Sequence, residues 1–121
     1  MKQLLLICAV AVLAGCGKEL TTEDVAGTYE SSLDRGPDGT KLVFKENGLV
    51  EAYMEGKKLG GVPSKWNLVN GELHYIDPDG FTRVFRINKD RNITSIGTIG
   101  SDGKRSDSAE FAQIPYIKIS Q

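Results

Sequence analysis

Few residues of this 121-residue chain have the type and spacing that chemistry requires. His74 is its only histidine. No second ligand or nucleophile stands at motif spacing from it, so it reads as a solvent-facing or hydrogen-bonded strand residue. Asp77-Pro78-Asp79-Gly80 opens like a calcium loop, but such a loop needs further oxygen ligands and a distal glutamate. Phe81 takes the next ligand position, so a turn is expected there. Ser106 and Ser108 lack both a Gly-x-Ser-x-Gly context and a base. Glu51, Glu55 and Glu72 are candidate carboxylate pairs, although glutamates on a strand surface are usually just solvated. No catalytic residue, metal ligand or cofactor is assigned, and the chain is read as a non-enzyme. The remaining reactive groups are two cysteines, Cys8 and Cys16.

Their setting is a targeting segment. Lys2 supplies a short positive region, and Leu4 to Leu13 form an apolar run. A spanning helix needs roughly 20 apolar residues, so this run has the form of a secretory signal instead. Leu13-Ala14-Gly15-Cys16, directly after it, resembles the lipobox of bacterial lipoproteins at all four positions. The resemblance implies lipid transfer to the Cys16 sulfur and cleavage before Cys16, which divides the chain into a signal peptide (1–15), a lipidated end with a short tether (16–20) and one domain (21–121). Gly17 stands where aspartate would retain a lipoprotein in the inner membrane of enteric bacteria. By that analogy the expected address is the outer membrane, facing the periplasm.

Removing the signal takes Cys8 with it, and Cys16 carries lipid, so no thiol or disulfide chemistry is expected of the mature protein. The 15 basic residues lose Lys2 and become 14 against 16 acidic ones. So even a balance argues against nucleic acid, which calls for a basic footprint. The chain is expected to be monomeric, with the membrane as one partner.

From Thr28 onward the pattern is strand after strand. Before it, Thr21 to Gly27 reads as a short helix with capping-box spacing between Thr21 and Asp24 and a stop at Gly27. Gly36-Pro37-Asp38-Gly39 and Asp77-Pro78-Asp79-Gly80 are turns in which proline presets the first central residue and glycine takes positive φ. Asn47-Gly48, Asn70-Gly71 and Asp102-Gly103 are hairpin signals. Lys89-Asp90-Arg91 fits another turn, and 56–63 reads as a longer loop. These breaks delimit eight strands, at 28–34, 40–46, 49–55, 63–69, 72–77, 81–88, 92–99 and 105–113. A short run from Tyr116 to Ile119 would extend or cover the last edge. The glycines of these hairpins recur at alternating intervals of 9 and 23 residues, as uniform hairpins in a meander do.

Eight short antiparallel strands with local turns close most simply into an up-and-down barrel, which removes exposed edges. Gly27-Thr28-Tyr29 resembles the Gly-x-Trp opening of lipocalins, with Tyr29 in place of tryptophan, so the expected class is an all-β, lipocalin-like meander barrel with a short N-terminal helix. Tight turns collect at the end where the chain enters and longer loops at the other. With a tether from Gly17 to Leu20 of at most ~14 Å, the tight-turn end is expected against the membrane.

Alternation places Leu42 with Phe44 and Trp66 with Leu68, each pair on one face. In the sixth strand Phe81, Phe85 and Ile87 bring Arg83 to the same face, where an inward cation needs a carboxylate or carbonyl partner; a place at the barrel end and a different register are the alternatives. Phe44, Met54, Trp66, Tyr75 and Phe85 can line one interior and are the candidate ligand-binding residues. A barrel of this size is either filled by side chains or holds one small ligand; strands this short favour filling, with Trp66 as a core anchor. Two functions are carried forward. One is a lipid-anchored envelope protein that binds a small apolar ligand or lipid without catalysis. The other is an interaction or inhibitor module with a filled core, which engages an envelope protein through its distal loops. The Ser-Gly-x-x-Tyr loop of lysozyme-inhibiting barrel lipoproteins is absent.

Overall fold

The computed structural model describes residues 20–120. The signal segment, the Leu13-Ala14-Gly15-Cys16 box and the start of the tether lie outside the described residues. Helix α1 (Thr22–Val25) leads into strands β1 (Gly27–Ser31), β2 (Lys41–Phe44), β3 (Leu49–Met54), β4 (Lys57–Lys58), β5 (Ser64–Val69), β6 (Glu72–Ile76), β7 (Thr82–Ile87), β8 (Ile93–Ile99), β9 (Arg105–Asp107) and β10 (Ile114–Ser120). Strands β1, β2, β3, β5, β6, β7, β8 and β10 pair in that order, and β10 pairs back to β1. The domain is therefore a closed, antiparallel, eight-stranded up-and-down barrel.

The turns form where the backbone demands them. Asn70 and Gly71 both take positive φ, 52° and 82°. That is the mirror-image turn a two-residue hairpin needs, and asparagine and glycine tolerate it. Thr21 and Asp24 cap α1 reciprocally, side chain to backbone in both directions. Ala26 ends the helix, and Gly27 opens β1 rather than stopping α1. The helix lies across the tight-turn end, here called proximal. Lys118 Nζ donates to the Asp24 carbonyl at 3.0 Å, and the Tyr29 hydroxyl donates to the Val25 carbonyl at 2.6 Å.

Two elements correct the strand boundaries read from sequence. The stretch 105–113 is not the eighth barrel strand. It contains β9 and a 3-10 turn at Glu110–Ala112, while β10 closes the barrel. The cause is a bulge. The β7–β8 register shifts between Val84 and Phe85, leaving Ile96 as an extra residue on β8. Ile93 to Ser95 of β8 pair with β10, whereas Gly97 to Ile99 pair with β9. Gly97 permits that second pairing, because a Cβ there would meet the Ser106 carbonyl oxygen at 2.7 Å. The second correction concerns 56–63. Glu55 and Gly56, at φ 56° and 78°, turn β3 back onto β4, so this loop begins as a hairpin flap.

Candidate functional site

The barrel interior has two halves of different character. The proximal half is a packed plug of aromatic rings around Phe44. Tyr29 and Trp66 each lie 5.6 Å from its centroid, Tyr75 lies at 6.1 Å and Phe85 at 6.2 Å, all edge to face. Edge-on contact suits the ring quadrupole, which is negative on the face and positive at the rim. The Trp66 indole N–H donates to the Lys45 carbonyl at 2.7 Å, so the ring is anchored as well as buried. Four of the five residues expected inside, Phe44, Trp66, Tyr75 and Phe85, are buried in this cluster. Met54 is not: it sits at the far rim and is 45 % exposed. Trp66 is a core anchor.

The distal half is hollow. A cavity of about 660 Å³ opens there, lined on the inner wall by Leu42, Val50, Ala52, Met54, Tyr75 and Tyr116 and roofed by 59–63. Its size falls within the range of ~300–1,000 Å³ usual for small-molecule sites. Side-chain alternation explains the lining. Ala52 stands opposite Leu42, and Val50 opposite Phe44, so β3 presents small and aliphatic residues inward. β3 pairs with β5 at Leu49–Lys65 and Val50–Ser64. Beyond Val50 the two strands part, and the lining reaches Lys45, Leu49 and Glu51 on the outer side of β3. The flap begun by β4 stands over this side portal, fastened by Lys58 Nζ to Glu51 at 3.3 Å.

Arg83 is the one cation of this inner wall. Its cross-strand partner is Tyr75, which turns it toward the cavity, yet it stays exposed at the open end of the barrel, and its guanidinium lies 5.5 Å from the centre of the Tyr75 ring. The partner expected for it is thus an aromatic face rather than a carboxylate. Among the described residues no acidic group is ion-paired with Arg83. Burial pushes the Tyr116 hydroxyl upward in pKa, against the pull of the neighbouring Arg83 charge. Asp77, on the rim, accepts from the Ser64 hydroxyl at 3.3 Å.

The glutamates singled out in the sequence fall on the outer surface and are mostly paired. Glu51 binds Lys45 at 2.8 Å and accepts from the Tyr53 hydroxyl at 2.9 Å. Glu72 receives both guanidinium nitrogens of Arg105 at 2.9 Å, and His74 lies 3.1 Å from it. The hydrogen bond from Lys45 holds the Glu51 carboxyl down at about 2, and that from Arg105 does the same for Glu72, both from an ordinary 4.5. Because these values are depressed in the folded state, the stabilisation is present above 4.5 and drains away as pH falls toward 2. Thermal unfolding followed from neutral pH downward should therefore show a level midpoint that drops through this window. Glu51→Gln should make the drop shallower; an identical acid limb in that variant would exclude the Lys45–Glu51–Lys58 group as its source.

No protein-family model, no curated protein and no solved structure matches this chain. Among the described residues no three histidines, cysteines or acids converge as a metal site, and no helix is long and apolar enough to cross a membrane. The fold and the cavity thus define a class, an eight-stranded barrel plugged at one end and hollow at the other. Sequence reasoning missed Ala52 and Tyr116 as lining residues. Ala52 stands opposite Leu42 and was legible by alternation; Tyr116 was hidden by the misplaced last strand.

Proposed function

We propose that the protein is a lipid-anchored binding protein of the cell envelope, which takes a small apolar ligand or lipid into the distal cup without catalysis. The observation that carries this reading is the cavity, whose inner wall is aliphatic and aromatic and which lies open beside a flap. Titration with an uncharged, environment-sensitive naphthylamine dye tests it. One saturable site per chain is expected, with the dye displaced by long-chain alcohols. A linear, non-saturating response would overturn the reading.

The anchor rests on Leu13-Ala14-Gly15-Cys16 behind its apolar run. Diacylation or more at Cys16 gives stable attachment, since each buried methylene contributes ~0.8 kcal/mol. Cys16→Ser should release a folded protein from the membrane fraction; persistent attachment would contradict lipidation. Gly17 after the cysteine supports an outer-membrane address facing the periplasm. Since the described chain begins beside α1, the short tether holds the plugged end toward the bilayer and the cup away from it. Depth-dependent quenching of labels at Asn70 and Asp79 should then be stronger at Asn70.

A second reading, an interaction module working through the distal loops, draws on Leu33 and Val62, which are 73 % and 70 % exposed. Replacing Leu33, which lies outside the cavity lining, with serine would weaken capture of an envelope protein under that reading and leave dye binding intact.

A further inference from the structure

The proposed ligand site has a chemical asymmetry that its apolar lining does not explain. Arg83 projects from β7 onto the same wall as Tyr75 and Tyr116, which are otherwise apolar neighbours of the cavity. Arg83 remains exposed although its cross-strand position turns it toward the cavity, so its charge is solvated at the open end and available to a ligand. Its guanidinium carbon lies over the Tyr75 ring, 5.5 Å from the centre, and among the described residues none of its five N–H donors is ion-paired with a carboxylate. The other two cations of the lining are different. Lys45 and Lys58 share the single Glu51 carboxylate, at 2.8 Å and 3.3 Å, so one positive charge remains over that group, and it sits on the outer side of β3 rather than on the inner wall.

From this juxtaposition we infer that the cup selects single-chain amphiphiles with one carboxylate head, the apolar tail packing against Leu42, Ala52 and Met54 and the head meeting Arg83. The inference rests on the proposed apolar-ligand reading and narrows it. Guanidinium and carboxylate match as a two-pronged pair. With Arg83 the one cation of the inner wall, and the three cations of the whole lining set against Glu51 and Asp77, the site carries one net positive charge, which suits a monoanion and disfavours a dianionic phosphate. The cation–π contact with Tyr75 favours a position of the charge beside the cavity wall.

Isothermal titration of the full-length protein with dodecanoate and with dodecanol, both below their aggregation limits, separates the two levels of the argument. The wild type should bind dodecanoate about tenfold more tightly than dodecanol, the worth of one charge-assisted contact. Arg83→Gln should abolish the preference, so that the variant binds dodecanoate and dodecanol alike, while Arg83→Lys keeps part of it. Equal affinities in the wild type, or a preference that survives in Arg83→Gln, would overturn the role of Arg83 and leave the apolar cup standing. Failure of both ligands to bind would overturn the cup and the inference together.

Discussion

Phe44→Ala is expected to lower stability by about 3–5 kcal/mol, the usual cost of truncating a buried phenylalanine. Phe44 is 1 % exposed and touches four aromatic rings edge to face. Those rings come from β1, β5, β6 and β7, so one side chain ties strands from opposite sides of the barrel. Its removal leaves a void that rigid rings cannot refill by changing rotamer, which places the loss toward the upper end. Small domains are stable by only ~5–15 kcal/mol in total, so the variant should lose a large fraction of its margin. Urea unfolding followed by Trp66 fluorescence reads this directly. Phe44→Leu should lose less, because it keeps most of the volume. A loss below ~1 kcal/mol, within the range of an ordinary surface change, would mean that the rings do not pack as one plug.

Ala52→Trp carries the second large effect, on binding instead of stability. Ala52 faces inward opposite Leu42 and lines the hollow half. Overpacking a filled core strains it, but an indole placed here enters a space of about 660 Å³ that already exists. The fold should survive with little change in melting temperature. Ligand affinity should fall by ~100-fold or more, a loss of about 3 kcal/mol. The contrast with Phe44→Ala is the diagnostic: one substitution damages the plug, the other occupies the cup. A folded Ala52→Trp protein that binds as the wild type does would locate the ligand elsewhere.

Much of the barrel was legible because antiparallel strands alternate every second residue and their turns use residues with special backbone freedom. Asn70-Gly71 marks its hairpin to the residue, and Phe44, Trp66, Tyr75 and Phe85 fall inside as their parity requires. Arg83 shares their parity, and its exposure puts it at the open end of the barrel, one of the alternatives the sequence leaves open. The failures have equally local causes. The Ile96 bulge breaks parity within β8, and it lets one strand serve two successive partners, which no uniform period predicts. Glu55-Gly56 makes a mirror-image turn without an asparagine or aspartate, so the flap read as plain loop. Alternation also states which face a residue takes but not how much space that face encloses. Small Ala52 and the parting of β3 from β5 leave the distal half hollow, while the rings around Phe44 fill the proximal half. The expected choice between a filled and a hollow barrel was therefore posed wrongly, since both occur along one axis.

The most direct test of the cup is an amide NMR titration of the full chain with dodecanol. The account predicts saturable shifts at Leu42, Ala52, Tyr75 and Arg83 and along the 59–63 flap, with Val25, Tyr29 and Ile93 at the plugged end unmoved. Shifts centred on the proximal residues, or changes spread over the surface without saturation, would contradict it.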